Sequence, residues 1–236
     1  MEYVTELHCH SGEVSNCASA TAQQIVDSYC AAGYTTVVLT NHFSRHTFGY
    51  SSQQKFKGDP ENHDDRVDFF LSGVEALKEA ADGKLNILRG AEVKLNTDDH
   101  DYLVYGIDEY FLRFHENIME MRVASLYHEI EAIGGLLIQP HPFRNSVRIT
   151  KPENLHGIEV FNGSVGHDSR NDVALLWANK YGMHMTSGSD LHHVDRNKPN
   201  GGIVTDFPIT SEEQLVQVLR SNNYKLLHAG EYPKND

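Results

Sequence analysis

Five times along the chain, a short apolar run ends in an imidazole or a carboxylate. Val4–Leu7 leads into His8-Cys9-His10, Thr35–Thr40 into Asn41-His42, and Leu88–Ala91 into Glu92. Leu137–Pro140 then leads into His141, and Thr186–Ser189 into Asp190-Leu191-His192. From His10 the successive gaps to His42, Glu92, His141 and Asp190 are 32, 50, 49 and 49 residues. No local ligand motif has such spacing, but a barrel of parallel strands does, because the C-terminal ends of its strands open on one face. Side chains alternate along an extended chain, so His8 and His10 share a face and Cys9 points the other way. Several imidazoles and carboxylates crowded together repel one another when charged, and a divalent ion removes both conflicts.

The remaining segments fit that architecture. Ser19–Gly33, Asn62–Ala81, Glu109–Gly134 (in two pieces), Asp168–Tyr181 and Ser211–Asn222 read as helices. Leu85–Leu95, Asp101–Gly106, Leu136–Gln139, Gly157–Phe161, His184–Ser187, Ile203–Asp206 and Tyr224–His228 read as strands. Phe43–Gly58 reads as a long functional loop whose Phe43, Phe48 and Tyr50 are candidates for a substrate mouth. Strands alternating with helices imply a parallel sheet, as a distorted α/β barrel or, alternatively, an open doubly wound sheet. No internal repeat or linker divides the chain, and neither a GxGxxG turn nor a Walker lysine loop is present.

Composition narrows the function. Twenty Lys and Arg against 33 Asp and Glu give a net charge of −13, which disfavours nucleic acid and favours a small soluble substrate. Fifteen histidines supply ligands and acid–base groups. The lack of a long apolar run argues against a membrane role. An acidic start without signal-peptide character and three cysteines (Cys9, Cys17, Cys30) point to a reducing cytoplasm.

The quoted motifs, together with Gly33-Tyr34, Gly90-Ala91-Glu92, Gln139-Pro140-His141-Pro142 and Gly188-Ser189-Asp190, resemble the polymerase and histidinol phosphatase (PHP) superfamily of metal-dependent phosphoesterases along nearly the whole chain. The resemblance implies a single-domain distorted (β/α)7 barrel over residues 1–230, with 231–236 as a loose tail. It also implies two or three divalent ions (Zn, Mn or Fe) at the C-terminal rim. Carried over residue by residue, His8, His10, Glu92 and Asp190 hold one ion, Glu92 bridges to a second with His141, and His42 and His192 belong to a third. Three positions depart from the family pattern. Asn41 stands where an Asp is usual, which leaves His42 free to ligate. Ser15 and Asn16 occupy a ligand position, with Glu13 as a substitute ligand. Asp108 follows Gly106-Ile107 where some members carry histidine.

The implied activity is hydrolysis of a phosphate monoester by metal-activated water, with Glu92, Asp190 and His192 catalytic and Arg144 and Arg45 binding phosphate. His192 or His193 is a candidate proton donor to the leaving group. A nuclease-type phosphodiesterase of the same family, an amidohydrolase-like metal hydrolase (whose bridging lysine is missing, Lys94 lying just past Glu92) and a metal-binding module without activity are the competing readings. His63, His115, His128, His156, His167 and His228 read as surface or structural, and His46, His100 and His193 as intermediate cases. Substrate, oligomeric state and metal identity stay open at the level of sequence.

Overall fold

The computed structural model describes residues 2–49 and 54–228. Its frame is a ring of strands: β1 (Tyr3–Cys9), β2 (Thr36–Leu39), β4 (Asn86–Leu95), β5 (His100–Tyr105), β6 (Leu136–Gln139), β7 (Gly157–Asn162) and β8 (His184–Gly188). The continuous apolar runs of β2 and β6 are buried along their whole length, as expected of strands covered on both faces. The ring closes just past β8, where Leu191 forms a parallel bridge with Cys9 and accepts the His10 N–H at 3.0 Å. That closure rules out the open doubly wound sheet and gives a distorted seven-stranded barrel.

The distortion has a local cause. Only four residues join β4 to β5, too few for a helical crossover, so β5 turns back antiparallel to β4 and is antiparallel to β6 as well. The expected all-parallel sheet is corrected at this strand. Outside the ring, β9 (Gly201–Thr205) runs antiparallel to the first half of β1, and β10 (Lys225–His228) antiparallel to β9. Phe43–Gly58 is not a plain loop. It contains α2 (Arg45–Phe48), and the two-residue β3 (His42–Phe43) lies at its start, while Tyr50 and the tail 231–236 lie outside the described residues.

Helices wrap the ring. α1 (Ala22–Ala31) begins in a Thr21–Gln24 capping box, and α3 (His63–Ala81) is capped by the Asn62 side chain. Between β5 and β6 come α4 (Glu109–Phe114), a short 3-10 turn and α5 (Val123–Ala132), the expected broken helix. α6 (Asn171–Tyr181) follows β7. α7 (Glu212–Ser221) packs Leu215 and Leu219 in one cluster with Leu7, Val38, Leu88 and Ile138. Among the described residues, no helix is long and apolar enough to cross a membrane.

Candidate metal centre

β4 is long because it serves two neighbours. Its first half pairs with β2, and its second half pairs with β3, which sets His42 directly opposite Glu92. His8 and His10 come from the end of β1 and its exit, while Cys9 faces an apolar cluster with Tyr29 and Leu39. His141 and Asp190 sit just past β6 and β8 with φ of 32° and 48°, the left-handed region that non-glycine residues enter at some cost. Neighbouring hydrogen bonds hold both backbones: His141 N–H donates to Glu159 at 2.9 Å, and the adjacent Ser189 N–H donates to Glu6 at 2.9 Å.

Four atoms face one another at the rim. His8 Nε2 lies 3.1 Å from His10 Nε2, 3.5 Å from Glu92 Oε2 and 3.3 Å from Asp190 Oδ1. His10 Nε2 lies 3.2 Å from Glu92 Oε2 and 3.4 Å from Asp190 Oδ1. A tetrahedral ion with ligands at about 2.0–2.1 Å needs ligand–ligand edges of about 3.3–3.4 Å. Two imidazole Nε2 atoms cannot both carry protons at such a contact, and both Glu92 oxygens are buried without a hydrogen bond. The donor set therefore fits a divalent cation. The other Glu92 oxygen, Oε1, lies 3.3 Å from His141 Nε2, so the carboxylate faces a second position as well. Two further metal-compatible trios are His10–His42–His192 and His42–Glu92–Asp101.

The electrostatics follow from burial and proximity. Burial opposes charge on Glu92, yet the imidazoles of His42, His8, His10 and His141 hold its carboxyl well below the usual range. Burial likewise opposes charge on Asp190, which His8 and His192 hold low. Against burial, Asp190, Glu159 and Glu92 raise His8 well above its ordinary value, and carboxylates raise His10 and His141 too. Burial wins at His42 and His192, pushed down to about 3 and about 4, so both rings are neutral at pH 7 and able to ligate.

The sequence missed several neighbours. Glu159 on β7 is fully buried with Oε1 2.9 Å from His8 Nδ1. Asp101 on β5 joins His42 and Glu92, with burial pushing its carboxyl up to about 6. His167, read as surface or structural, has Nε2 buried 3.6 Å from Asp190 Oδ2. None of the three ends an apolar run, so the pattern that exposed the other ligands could not flag them.

Other candidates lie elsewhere. Glu13 turns Oε1 to the Ala22 N–H at 2.7 Å at the start of α1 and belongs to none of the trios. Arg45 pairs its guanidinium with Glu120 at 2.6 Å and lines a different cavity, with His63 and Arg66. Asp108 caps α4, and Lys94 pairs with Asp99 at 3.2 Å and with Asp101, a member of one trio, at 3.8 Å. Phe43 and Phe48 pack edge to face in the core rather than at a mouth. His63 and His156 are bound to the Leu112 carbonyl and to Glu131, as structural histidines are. Arg144, in contrast, lines a cavity of about 290 Å³ with His167, Asp190, His192, His193 and Arg196.

In fold the chain is similar to solved structures that include PHP-like metal-dependent phosphoesterases. No protein-family model and no curated protein matches the sequence. Among solved structures, one similar chain is a two-domain protein containing a predicted PHP-like metal-dependent phosphoesterase from Bacteroides vulgatus. It is 15% identical with a TM-score of 0.64, over 97% of this chain and 65% of that one, so this chain spans just under two thirds of its length. PsfC from Pseudomonas syringae is 14% identical with a TM-score of 0.68, over 97% and 92%. PfuEndoQ, a lesion-specific endonuclease from Pyrococcus furiosus, is 12% identical with a TM-score of 0.62, over 100% and 60%. At such identities it is the fold that is shared. Because one of these structures is an endonuclease, the acidic balance alone does not exclude a nucleic-acid substrate.

Proposed function

We propose that this chain is a metal-dependent hydrolase of phosphate esters, acting as a phosphomonoesterase on a small soluble substrate, with residues 1–230 as its catalytic domain. The observation that carries the reading is the approach of His8 and His10 Nε2 to each other and to both Glu92 and Asp190 at 3.1–3.5 Å, with the buried Glu92 oxygens free of hydrogen bonds. These four residues would hold a first ion, Glu92 and His141 would hold a second, and His42 and His192 would serve a third. When bound, divalent cations acidify water toward a pKa of about 7 and neutralise charge on a phosphoryl group.

The chain's own residues supply the rest. Arg144 lines the cavity beside Asp190 and His192, where a guanidinium can take two phosphoryl oxygens at once. Arg196, on the same cavity, adds a second positive charge. Asn162 Nδ2 donates to Asp190 Oδ2 at 3.2 Å and holds that carboxylate toward the histidines. Burial of His8 and His10 keeps bulk water from the ligand nitrogens. Three free cysteines support a reducing compartment such as the cytoplasm.

The test is direct. Protein supplied with Mn²⁺ or Zn²⁺ hydrolyses p-nitrophenyl phosphate, and chelator abolishes turnover. Absence of turnover across several divalent metals and phosphate esters overturns the reading. The fold shared with PfuEndoQ supports a nuclease as the second reading. Cleavage of damaged duplex DNA without phosphomonoesterase activity favours it.

A further inference from the structure

The least expected group at the rim is a carboxylate that belongs to none of the metal-compatible trios yet touches a member of one. Glu159 is fully buried inside β7, 151 positions from His8 in sequence. Its two oxygens serve two different ligands. Oε1 lies 2.9 Å from His8 Nδ1. Oε2 accepts the backbone N–H of His141 at 2.9 Å and the amide Nδ2 of Asn162 at 2.8 Å.

All of these partners are donors or are made so. His8 Nε2 faces His10 Nε2 and two carboxylates, so a cation there needs a bare lone pair on Nε2 and the proton on Nδ1. A carboxylate on Nδ1 favours that tautomer. At the other end, His141 holds a left-handed backbone that places its ring 3.3 Å from Glu92 Oε1, and its N–H is tied to Glu159. We propose that Glu159 is a positioning residue for both cation sites at once, fixing the tautomer of His8 and the backbone of His141 through one rigid side chain. The proposal rests on the metal-dependent reading above and deepens it.

Simple hydrogen-bond accounting makes the substitution informative. Glutamine has the shape of Glu159 but accepts at one end only and donates at the other. With its oxygen toward His8, Glu159→Gln sets two donors, His141 N–H and Asn162 Nδ2, against its own NH₂. Turned round, it donates to His8 Nδ1, drives the proton onto Nε2 and blocks the ligand lone pair. Neither orientation satisfies both sites.

The experiment is a Zn²⁺ competition titration against a chromophoric chelator, run on the wild type and Glu159→Gln, with the thermal midpoint of each metal-free protein alongside. The expected result is Zn²⁺ affinity weakened by about 10- to 100-fold. Equal affinity in the two proteins overturns the proposal, even if the variant melts lower. A second measurement needs no variant: long-range ¹H–¹⁵N spectra of Zn²⁺-loaded wild type report the state of each His8 ring nitrogen. A protonated Nδ1 with a metal-bound Nε2 supports the role, and ligation through Nδ1 overturns it. Wild type that takes up no Zn²⁺ overturns the parent reading and this one with it, whereas wild type that binds while the variant matches it overturns this one alone.

Discussion

Protons and cations compete for the same nitrogens at the rim. Carboxylates raise His8, His10 and His141 above the ordinary histidine value, so without metal protons are favoured on these rings, with no more than one of the two facing Nε2 atoms of His8 and His10 carrying one. A cation must displace them. Zn²⁺ binding at pH 7, followed calorimetrically in buffers of different ionisation enthalpy, is therefore expected to release about one proton or more per ion, and affinity is expected to fall as pH falls. His42 and His192, pushed down to about 3 and about 4, release none above about pH 5. The sign for the metal-free protein is opposite. A histidine raised in the folded state stabilises below its unfolded value of about 6.5 and loses that contribution as pH rises through the folded value. Glu6, which burial pushes up to about 7, acts the same way: its contribution is lost as pH rises from the unfolded carboxyl range through 7. Above about pH 7.5, where the lowered His42 and His192 are neutral in both states, the metal-free midpoint should thus fall as pH rises to about 9 while metal affinity rises, and two parallel slopes would contradict this account. Replacing Asp190 by Asn is expected to lower metal-supported kcat/KM by about 100-fold or more, ~2.7 kcal/mol, and an unchanged rate would remove Asp190 from the ligand set.

At the scale of elements, the site depends on strands that approach closer than side chains usually permit. Gly188 ends β8 against His8, and a β-carbon there would stand 2.3 Å from His8 Cβ and 2.7 Å from Glu159 Oε1. Gly188→Ala is expected to destabilise by about 2–3 kcal/mol through overpacking. In a chain of this size that is roughly a 5–10 °C lower melting midpoint, with Zn²⁺ affinity falling in parallel. A variant that melts normally and binds normally would show that the strands separate more easily than this packing implies. The same closeness explains what the sequence disclosed. His8, His10, His42, Glu92, His141 and Asp190 each follow an apolar run, and a barrel turns that linear pattern into a common rim. Glu159 sits mid-run in GIEVF, where a carboxylate has no signal until β7 lies across the site from His8. Asp101 becomes a neighbour of Glu92 only because β5 turns back on β4, a reversal set by a four-residue connection. For Glu13 and Arg45, nearness to a strand end in sequence gives no direction: one oxygen of Glu13 turns to a helix start and Arg45 to Glu120.

On the scale of the molecule, the first cation site lies on the seam of the barrel. Its ligands come from β1, from β4 and from the segment beyond β8, and the ring itself closes through Cys9, His10 and Leu191, immediately beside them. That corner holds buried Glu92, Asp190, Glu159 and Glu6 together, a set of carboxylates offset by imidazoles and by neutral backbone, hydroxyl and amide donors. A bound ion would both neutralise the corner and tie the first strand to the last. Ion present at about 100 times its dissociation constant should add ~2.7 kcal/mol to stability, roughly 5–10 °C in a chain this long. The gain should also be local. Hydrogen exchange at the His10 amide, which donates to Leu191 across the seam, should slow on metal addition far more than exchange in α7, which packs away from the rim against Leu7 and Leu88. Uniform protection, or none at His10, would mean that the ion does not bridge the seam and that the barrel is closed by its strands alone.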